Sequence, residues 1–252
     1  MAKGFPLNVL ACMPGGSYPA YAAAQVRELI ERYRPDVLWN DISWPQPERE
    51  LRYLIAHYYN QVPDGVINDR WLARSWLIPW LRVGWVNRVA ERLLKAHLRR
   101  RGGTLVPPVP PVYDYRTPEY ASFDAAQAGK WECVRGMDKS FGYNRASLPE
   151  DFISRSELIH SFVDIVSKNG NLLLNVGPRG VDAQIPEIQL ERLAWLGEFL
   201  RHNGEAVYGT RPWAGASASA GEGDRVRFTE KDGTVHRFTL GDTTRAEVHA
   251  DA

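Results

Sequence analysis

Short apolar runs that end in polar residues alternate with amphipathic, helix-like stretches along this chain, and this alternation limits the possible folds more than any other feature. The run Asp-Val-Leu-Trp-Asn-Asp at 36–41 shows the pattern, because it follows an amphipathic stretch that Pro35 ends. A run whose carboxyl end turns polar is typical of a buried parallel strand that opens into a site. The alternation therefore predicts an α/β fold with a parallel sheet. Strands are expected at residues 36–41, 66–70, 130–135 and 171–176, and helices at 19–34, 51–59, 156–168 and 186–202.

These strands, together with a weaker candidate at Leu7–Ala11, are about half of the eight strands that a closed (β/α)8 barrel needs. We therefore expect a partial, half (β/α)8-like barrel in a domain of residues 1–213. Beyond it, the Ala/Gly/Ser-rich stretch 214–223 indicates a linker, and the segments 225–229 and 234–240 predict a β-hairpin. The remaining region, 214–252, is accordingly predicted to be a linker with a short β-hairpin tail.

The overall charge argues against a nucleic-acid binder, because 31 basic residues face 30 acidic ones and the formal net charge is +1. The charge is uneven, since residues 82–101 hold seven basic side chains and one acid, a local net charge of +6. A helix predicted over 85–101 carries Arg88, Arg92, Lys95 and Arg99 opposite an apolar face. It could lie on a membrane surface or bind nucleic acid. Because Trp76, Trp80 and Trp85 need burial, we expect instead a protein-contact element, with no nucleic-acid and no membrane partner.

The sequence gives no support for metal or cofactor chemistry. The six histidines are dispersed, and the two cysteines, Cys12 and Cys133, match no metal-ligand spacing. A glycine-rich phosphate loop and a Ser/His/Asp grouping are both absent from the sequence, which argues against phosphate-binding and acyl-transfer classes. No apolar stretch approaches the roughly 20 residues of a membrane span, and the N-terminal run does not resemble a signal peptide. We expect no metal, no cofactor and a cytoplasmic location.

Asp41 is the first candidate for chemistry, because it ends a predicted strand and stands among large apolar residues. A carboxylate in this position suits a nucleophile, but the same position suits a residue that caps a turn. Trp39 and Trp44 could likewise be core residues or a wall on which a sugar stacks. The residues alone leave both questions open.

Six motifs in collinear order narrow these choices. They are Tyr-Arg-Pro-Asp-Val-Leu-Trp-Asn-Asp at 33–41, Asn-Asp-Arg-Trp at 68–71, Lys-Trp-Glu at 130–132, Ser-Phe-Gly-Tyr-Asn at 140–144, Val-Ser-Lys-Asn-Gly-Asn-Leu-Leu-Leu-Asn-Val-Gly-Pro at 166–178 and Asn-Gly-Glu-Ala-Val-Tyr at 203–208. Together they resemble the α-L-fucosidases of glycoside hydrolase family 29. The resemblance implies a retaining exo-glycosidase that hydrolyses terminal α-L-fucosides on a fucosylated glycan or other fucoside. It also implies an irregular (β/α)8-like catalytic domain and a C-terminal β-sandwich, of which the predicted hairpin would be a remnant.

The resemblance assigns the two carboxyl groups that a retaining glycosidase requires. One carboxyl is ionised and attacks the anomeric carbon, and the other is protonated and lies about 5–5.5 Å away. Asp41 matches the family's nucleophile. Glu119, in Thr-Pro-Glu-Tyr at 117–120, matches the acid/base of the most similar branch, and Glu132 is the runner-up.

The resemblance also implies a set of substrate-binding residues. Arg70 matches an arginine that contacts the sugar, although a structural ion pair with Asp69 or Asp36 is an alternative. Phe141 matches an aromatic residue near the 6-methyl group, where an apolar wall distinguishes a deoxy sugar from its hydroxylated analogue. The set is completed by Trp39, Trp44 and Trp131.

Two features depart from the family. The N-terminal half of the family's barrel has no counterpart in the sequence, and residues 72–116 form an insert. A half barrel would leave sheet edges and an apolar face uncovered, so we expect an obligate homo-oligomer whose interface involves the insert. The alternatives to an active hydrolase are a catalytically inactive fucosidase-like binding or scaffold protein and one half of an enzyme split between two chains.

Overall fold

The structure is a computed structural model, and it describes residues 16–74, 80, 83–86, 88–90, 92–93, 110–217, 225–241 and 244–248. Contacts between residues divide the chain into two compact units, 1–115 and 116–252. Both units contain parallel strands joined through helices, so the predicted α/β fold is confirmed.

The first unit contains two helices and one pair of parallel strands. In chain order they are α1 (Tyr18–Tyr33), β1 (Val37–Leu38), α2 (Glu48–Gln61) and β2 (Val66–Ile67). Val37 lies opposite Val66 and Leu38 opposite Ile67. The helices agree with the predicted stretches within a few residues, whereas the strands are shorter than predicted, because hydrogen bonds from side chains replace the backbone ladder beyond Leu38 and Ile67.

The core of the first unit lies between these strands and the two helices. Ile30 of α1, Tyr58 of α2 and Ile67 of β2 are fully buried. The Tyr58 hydroxyl lies 2.9 Å from the carbonyl oxygen of Pro35 and 3.1 Å from that of Asp36, and burial raises its pKa. Tyr58 therefore connects α2 to the turn that leads into β1.

The second unit begins with another parallel pair and its connecting helix. Its elements are β3 (Trp131–Gly136), α3 (Arg155–Ser167), β4 (Gly170–Asn175) and α4 (Glu187–Asn203), with short 3₁₀ turns at Pro149–Asp151, Gly204–Ala206 and Ala214–Ser217. β3 and β4 are parallel, with Trp131 opposite Gly170 and Gly136 opposite Asn175. Ser154 and Glu157 form a reciprocal capping box that starts α3.

Four antiparallel strands follow in the same unit. They are β5 (Arg211–Pro212), β6 (Val226–Lys231), β7 (Thr234–Thr239) and β8 (Arg245–Val248), and they form one sheet in this order. The sheet is not a separate tail, because Phe238 and Leu240 share a core with Ile159, Phe162 and Phe199 of the helices. The boundary between the units therefore follows residue 115 and differs from the predicted division at residue 213.

Several sequence predictions concern residues that lie outside the described ranges. The candidate strand Leu7–Ala11 lies outside the described residues, as do Trp76 and most of the predicted helix 85–101; the described positions within 84–93 are helical. Residues 218–223 of the predicted linker also lie outside the described residues. Within the described ranges, no helix combines the length and apolar character needed to cross a membrane.

Candidate active site

Asp41 and Arg70 lie at equivalent places in the first unit, three residues beyond the ends of β1 and β2. Since these strands are parallel and in register, both residues leave the sheet at its carboxyl edge. An Arg70 Nη1 atom lies 3.0 Å from Asp41 Oδ1, and the two side chains form an ion pair. The Asp41 side chain is 64% exposed and that of Arg70 only 15%, so the carboxylate is accessible while the guanidinium is held by the protein.

Trp39 lies against the arginine of this pair. The guanidinium carbon of Arg70 is 5.0 Å from the centre of the Trp39 ring, which is within range of a cation–π interaction. Trp44, which the sequence also suggested as a sugar contact, is buried in the core, with its ring 5.2 Å from that of Trp71. Trp39 therefore lies next to the Asp41–Arg70 pair, whereas Trp44 is a core residue whose ring has almost no accessible surface.

Glu119 lies on an extended segment that runs parallel to β3 in the second unit. Val134 donates its backbone N–H to Pro118, Tyr120 donates to Val134, and Glu119 itself lies opposite Val134. The Glu119 side chain is exposed. The register therefore puts this carboxyl near the carboxyl end of β3, which ends at Gly136.

The residue after Glu119 fixes the local backbone. Tyr120 has a left-handed conformation, with φ of 49°, and its hydroxyl accepts the backbone N–H of Gly136 at 3.1 Å. Its ring lies 5.1 Å from that of Phe141 and 5.5 Å from the Arg135 guanidinium carbon. Phe141 and Tyr120 thus form an aromatic pair directly beside Glu119.

Glu132 lies in a different setting, within β3 and two residues before Val134. Asn171 of β4 donates its side-chain N–H to the Glu132 carboxylate at 2.8 Å. Trp131, predicted as a substrate contact, is buried in the core, where its indole N–H donates to the Lys168 carbonyl. It is therefore a core residue, since a buried indole has no face for a sugar.

The structure thus joins Asp41, Arg70 and Trp39 in one group, and Glu119 with Phe141 in another. Sequence reasoning gave no role to three residues whose side chains form hydrogen bonds with backbone groups near these side chains: Asn40, Asn68 and Tyr120. Asn68 follows directly on β2 and Asn40 lies two residues after the end of β1, both within the quoted motifs, and this position was the available signal. Nothing in the sequence indicates the left-handed conformation of Tyr120.

The described part of the chain shows no group of three or more His, Cys, Asp or Glu side chains that could hold a metal ion. Cys133, in the middle of β3, is buried, and burial raises the pKa of its thiol. The two groups described above contain carboxyl, guanidinium and aromatic side chains.

The fold and these two groups define an α/β protein with acidic side chains at the carboxyl ends of parallel strands. Comparison with known proteins identifies the family. The sequence model of the alpha-L-fucosidase family matches residues 7–205. The chain therefore belongs to the alpha-L-fucosidase family, as its six motifs predicted.

Individual relatives are similar to the chain over most of its length. An alpha-L-fucosidase of Branchiostoma floridae is 30% identical over 223 residues, which cover 86% of this chain and 42% of that protein. A plasma alpha-L-fucosidase of Rattus norvegicus is 32% identical, with coverage of 75% and 35%. The structure of Thermotoga maritima alpha-fucosidase with a mechanism-based inhibitor is 39% identical, with a TM-score of 0.66 and coverage of 91% and 44%. The chain thus spans about two-fifths of the length of the curated relatives that it matches.

Proposed function

We propose that this chain carries the catalytic carboxyl groups of a retaining α-L-fucosidase that hydrolyses terminal α-L-fucosides. The observation that carries the proposal is the Asp41–Arg70 ion pair at the ends of two parallel strands, in a chain of the alpha-L-fucosidase family. An exposed carboxylate beside a mostly buried guanidinium is suited to attack a sugar that enters from solvent.

Asp41 is the proposed nucleophile. Its carboxylate oxygen forms a bond to the anomeric carbon while the bond from that carbon to the leaving oxygen breaks. Arg70 lies beside the attacking group and provides positive charge and N–H donors for a sugar hydroxyl. The product of this step is a covalent glycosyl ester on Asp41. The inhibitor in the Thermotoga maritima structure is called mechanism-based, which is consistent with such a step in this family.

Glu119 is the proposed acid/base. It gives its proton to the leaving oxygen in the first step, and its carboxylate then takes a proton from the water that cleaves the ester. Glu119 is favoured over Glu132 because it is exposed and opposite Val134, near the carboxyl end of β3. Glu132 lies two residues farther back, about 7 Å along a strand, and its carboxylate is bonded to Asn171.

The proposed substrate class follows from the aromatic pair beside Glu119. Phe141 and Tyr120 present apolar ring surface, which suits the 6-methyl group of fucose and is unfavourable for the hydroxyl of a non-deoxy sugar.

We also propose the (β/α)8-like fold that the family resemblance implies. The β–α–β connections of β1–α2–β2 and β3–α3–β4 support it, since such a barrel repeats this unit.

Release of nitrophenol from p-nitrophenyl α-L-fucoside tests the proposal. We expect Asp41→Gly to remove nearly all turnover, and sodium azide to restore part of it by attacking the anomeric carbon in place of the carboxylate. A single displacement inverts the configuration, so the product should be the β-fucosyl azide. Asp36→Ala, which removes the exposed carboxylate before β1, is the matched control and should remain active. Substantial turnover by Asp41→Gly without azide would contradict the assignment.

A second pair of variants distinguishes the two acid/base candidates. Glu119→Ala should slow fucosides with poor leaving groups by about 10²–10⁴-fold and affect activated aryl fucosides much less. Azide attack on its glycosyl ester should give the α-fucosyl azide, because two displacements retain the configuration. The same behaviour in Glu132→Ala, with Glu119→Ala near wild type, would transfer the role to Glu132. A wild-type chain that binds fucose without turnover would favour the binding-protein alternative.

A further inference from the structure

Asn68 is a fully buried polar residue directly after β2, and its side chain takes the place of a peptide group. Its Oδ1 accepts the backbone N–H of Asn40 at 3.0 Å, and its Nδ2 donates to the backbone carbonyl of Asn40 at 2.7 Å. The last backbone pair of the strands is Leu38 with Ile67. The Asn68 amide therefore continues the pairing of the two strands past the point where their backbones separate.

The side chain of Asn40 makes a second pair of hydrogen bonds. Its Nδ2 donates to the carbonyl of Ser43 at 2.9 Å and to the carbonyl of Arg70 at 2.9 Å. The bond to Ser43 closes the turn that contains Asp41, and Ser43 has a left-handed φ of 57° there. The bond to Arg70 fixes the backbone from which the guanidinium extends. One amide thus holds both chain segments of the ion pair.

Packing alone does not set the geometry of this ion pair. Most of the Asp41 side chain is exposed, so it has few neighbours that could restrain it, whereas the Arg70 side chain lies against Trp39. The position of the carboxylate relative to the guanidinium therefore depends on the backbones at Asp41 and Arg70. Two asparagine side chains hold those backbones.

We propose that Asn40 and Asn68 are positioning residues that hold the Asp41 carboxylate against the Arg70 guanidinium in the geometry for attack. The proposal rests on the nucleophilic role proposed above for Asp41. Neither amide carries charge, and both form hydrogen bonds with backbone groups. The two asparagines therefore act on the reaction through Asp41 and Arg70. A displacement of a reacting group by about 1 Å can cost about 100-fold in rate, so loss of either amide should be visible in turnover.

The kinetic test uses Asn40→Ala and Asn68→Leu, with Asn203→Leu as the matched control. Asn203 is also buried and also bridges backbone groups, the carbonyl of Phe199 and the N–H of Ala246, in the second unit. We expect kcat for p-nitrophenyl α-L-fucoside to fall about 100-fold in Asn40→Ala and Asn68→Leu, with KM changed much less. Asn203→Leu should lower the melting temperature and leave kcat unchanged. Asn40→Ala removes a half-buried side chain, so it provides the test if Asn68→Leu does not fold.

Combination with Asp41→Gly separates positioning from general damage. With azide as the nucleophile there is no carboxylate to position, so adding Asn40→Ala to Asp41→Gly should change the azide-restored rate by less than about threefold. If the second substitution lowers that rate by the full factor seen in wild type, the role is structural and the proposal is wrong. Wild-type kcat in Asn40→Ala would also overturn it.

A structural readout tests the proposal independently of turnover. In a crystal structure of Asn40→Ala, we expect the 3.0 Å contact between Arg70 Nη1 and Asp41 Oδ1 to be lost. In Asn68→Leu, the backbone N–H of Asn40 should lose its protection from hydrogen exchange. An intact ion pair in the Asn40→Ala crystal would overturn the positioning role. An inactive wild-type chain whose ion pair opens in Asn40→Ala would instead contradict the proposed function and support the positioning role.

Discussion

Asp164 of α3 is the centre of a charged network that ties together three parts of the second unit, and its removal gives a quantitative prediction. Its carboxylate accepts from Ser122 Oγ at 2.7 Å, Lys168 Nζ at 2.8 Å and Arg227 Nε at 2.7 Å. Ser122 precedes β3, Lys168 directly follows α3 and Arg227 lies in β6. The three charged side chains are each less than a quarter exposed.

Asp164→Asn keeps the shape of the side chain and removes its charge, so it leaves Lys168 and Arg227 without their common counter-ion. Breaking a buried ion pair by removing one partner costs about 3–5 kcal/mol. Because these groups retain some exposure, we expect the lower end, about 3 kcal/mol of unfolding free energy. For a unit of this size the melting temperature should fall by roughly 10 °C.

The same network predicts how stability depends on pH. Burial alone would raise the pKa of Asp164, but hydrogen bonds from Lys168, Ser122 and Arg227 outweigh it and lower the pKa below its usual value. A carboxyl whose pKa is lower in the folded state contributes stability above its unfolded pKa of about 3.9. The contribution is lost as the pH falls through the folded pKa. The difference between wild type and Asp164→Asn should therefore be complete at neutral pH and shrink below about pH 4.

Urea unfolding followed by circular dichroism at several pH values measures both effects. Glu198→Gln is the control, because Glu198 pairs with Arg155 at 2.7 Å with about half of each side chain exposed. Such surface pairs contribute about 0–1 kcal/mol. A loss in Asp164→Asn no larger than in Glu198→Gln, or a difference that persists unchanged at low pH, would refute the reasoning.

Two further predictions concern the first unit and the insert. A Cβ on Gly65 would lie 2.4 Å from the hydroxyl oxygen of the buried Tyr58, so Gly65→Ala should clearly lower the melting temperature. Gly180→Ala is the control, because Gly180 has open space around it, and it should leave the melting temperature unchanged. Equal melting temperatures of the two variants would contradict this prediction. Trp80 and Trp85 in the insert are 58% and 65% exposed, so we still predict a homo-oligomer formed through the insert. Light scattering should give a mass above 28.5 kDa, and an active monomer at micromolar concentration would contradict it.

Hydrophobic periodicity predicted the elements that have a regular pattern of their own. The helix predicted at 19–34 is observed at Tyr18–Tyr33, and the helix predicted at 156–168 at Arg155–Ser167. The strand predicted at 171–176 is observed at Gly170–Asn175. These elements could be found because each has an apolar pattern of its own, so the information lies within a short window of sequence.

The place of the C-terminal strands could not be found in this way. A window over β6 and β7 shows a hairpin, but it contains nothing about the surface that the hairpin covers. Phe238 packs against Phe199 of α4, and Arg227 reaches Asp164 of α3, which is 63 residues away in the chain. Contacts between residues so far apart in the sequence form only in the folded chain. These contacts place the sheet in the second unit.

The candidate site shows the same limit at the scale of single hydrogen bonds. Asp41 and Arg70 are visible in the sequence as charged residues after apolar runs, and the family resemblance supplied the roles proposed for them. The amides that hold them were not predicted, because an asparagine after a strand has the same appearance whether it caps a turn or bridges two strands. The bridge exists because Asn68 is buried opposite Asn40, 28 residues earlier, where its amide meets both backbone groups of one residue. In this chain, therefore, the residues proposed to react stand out in the sequence, and those proposed to position them emerge only from the folded structure.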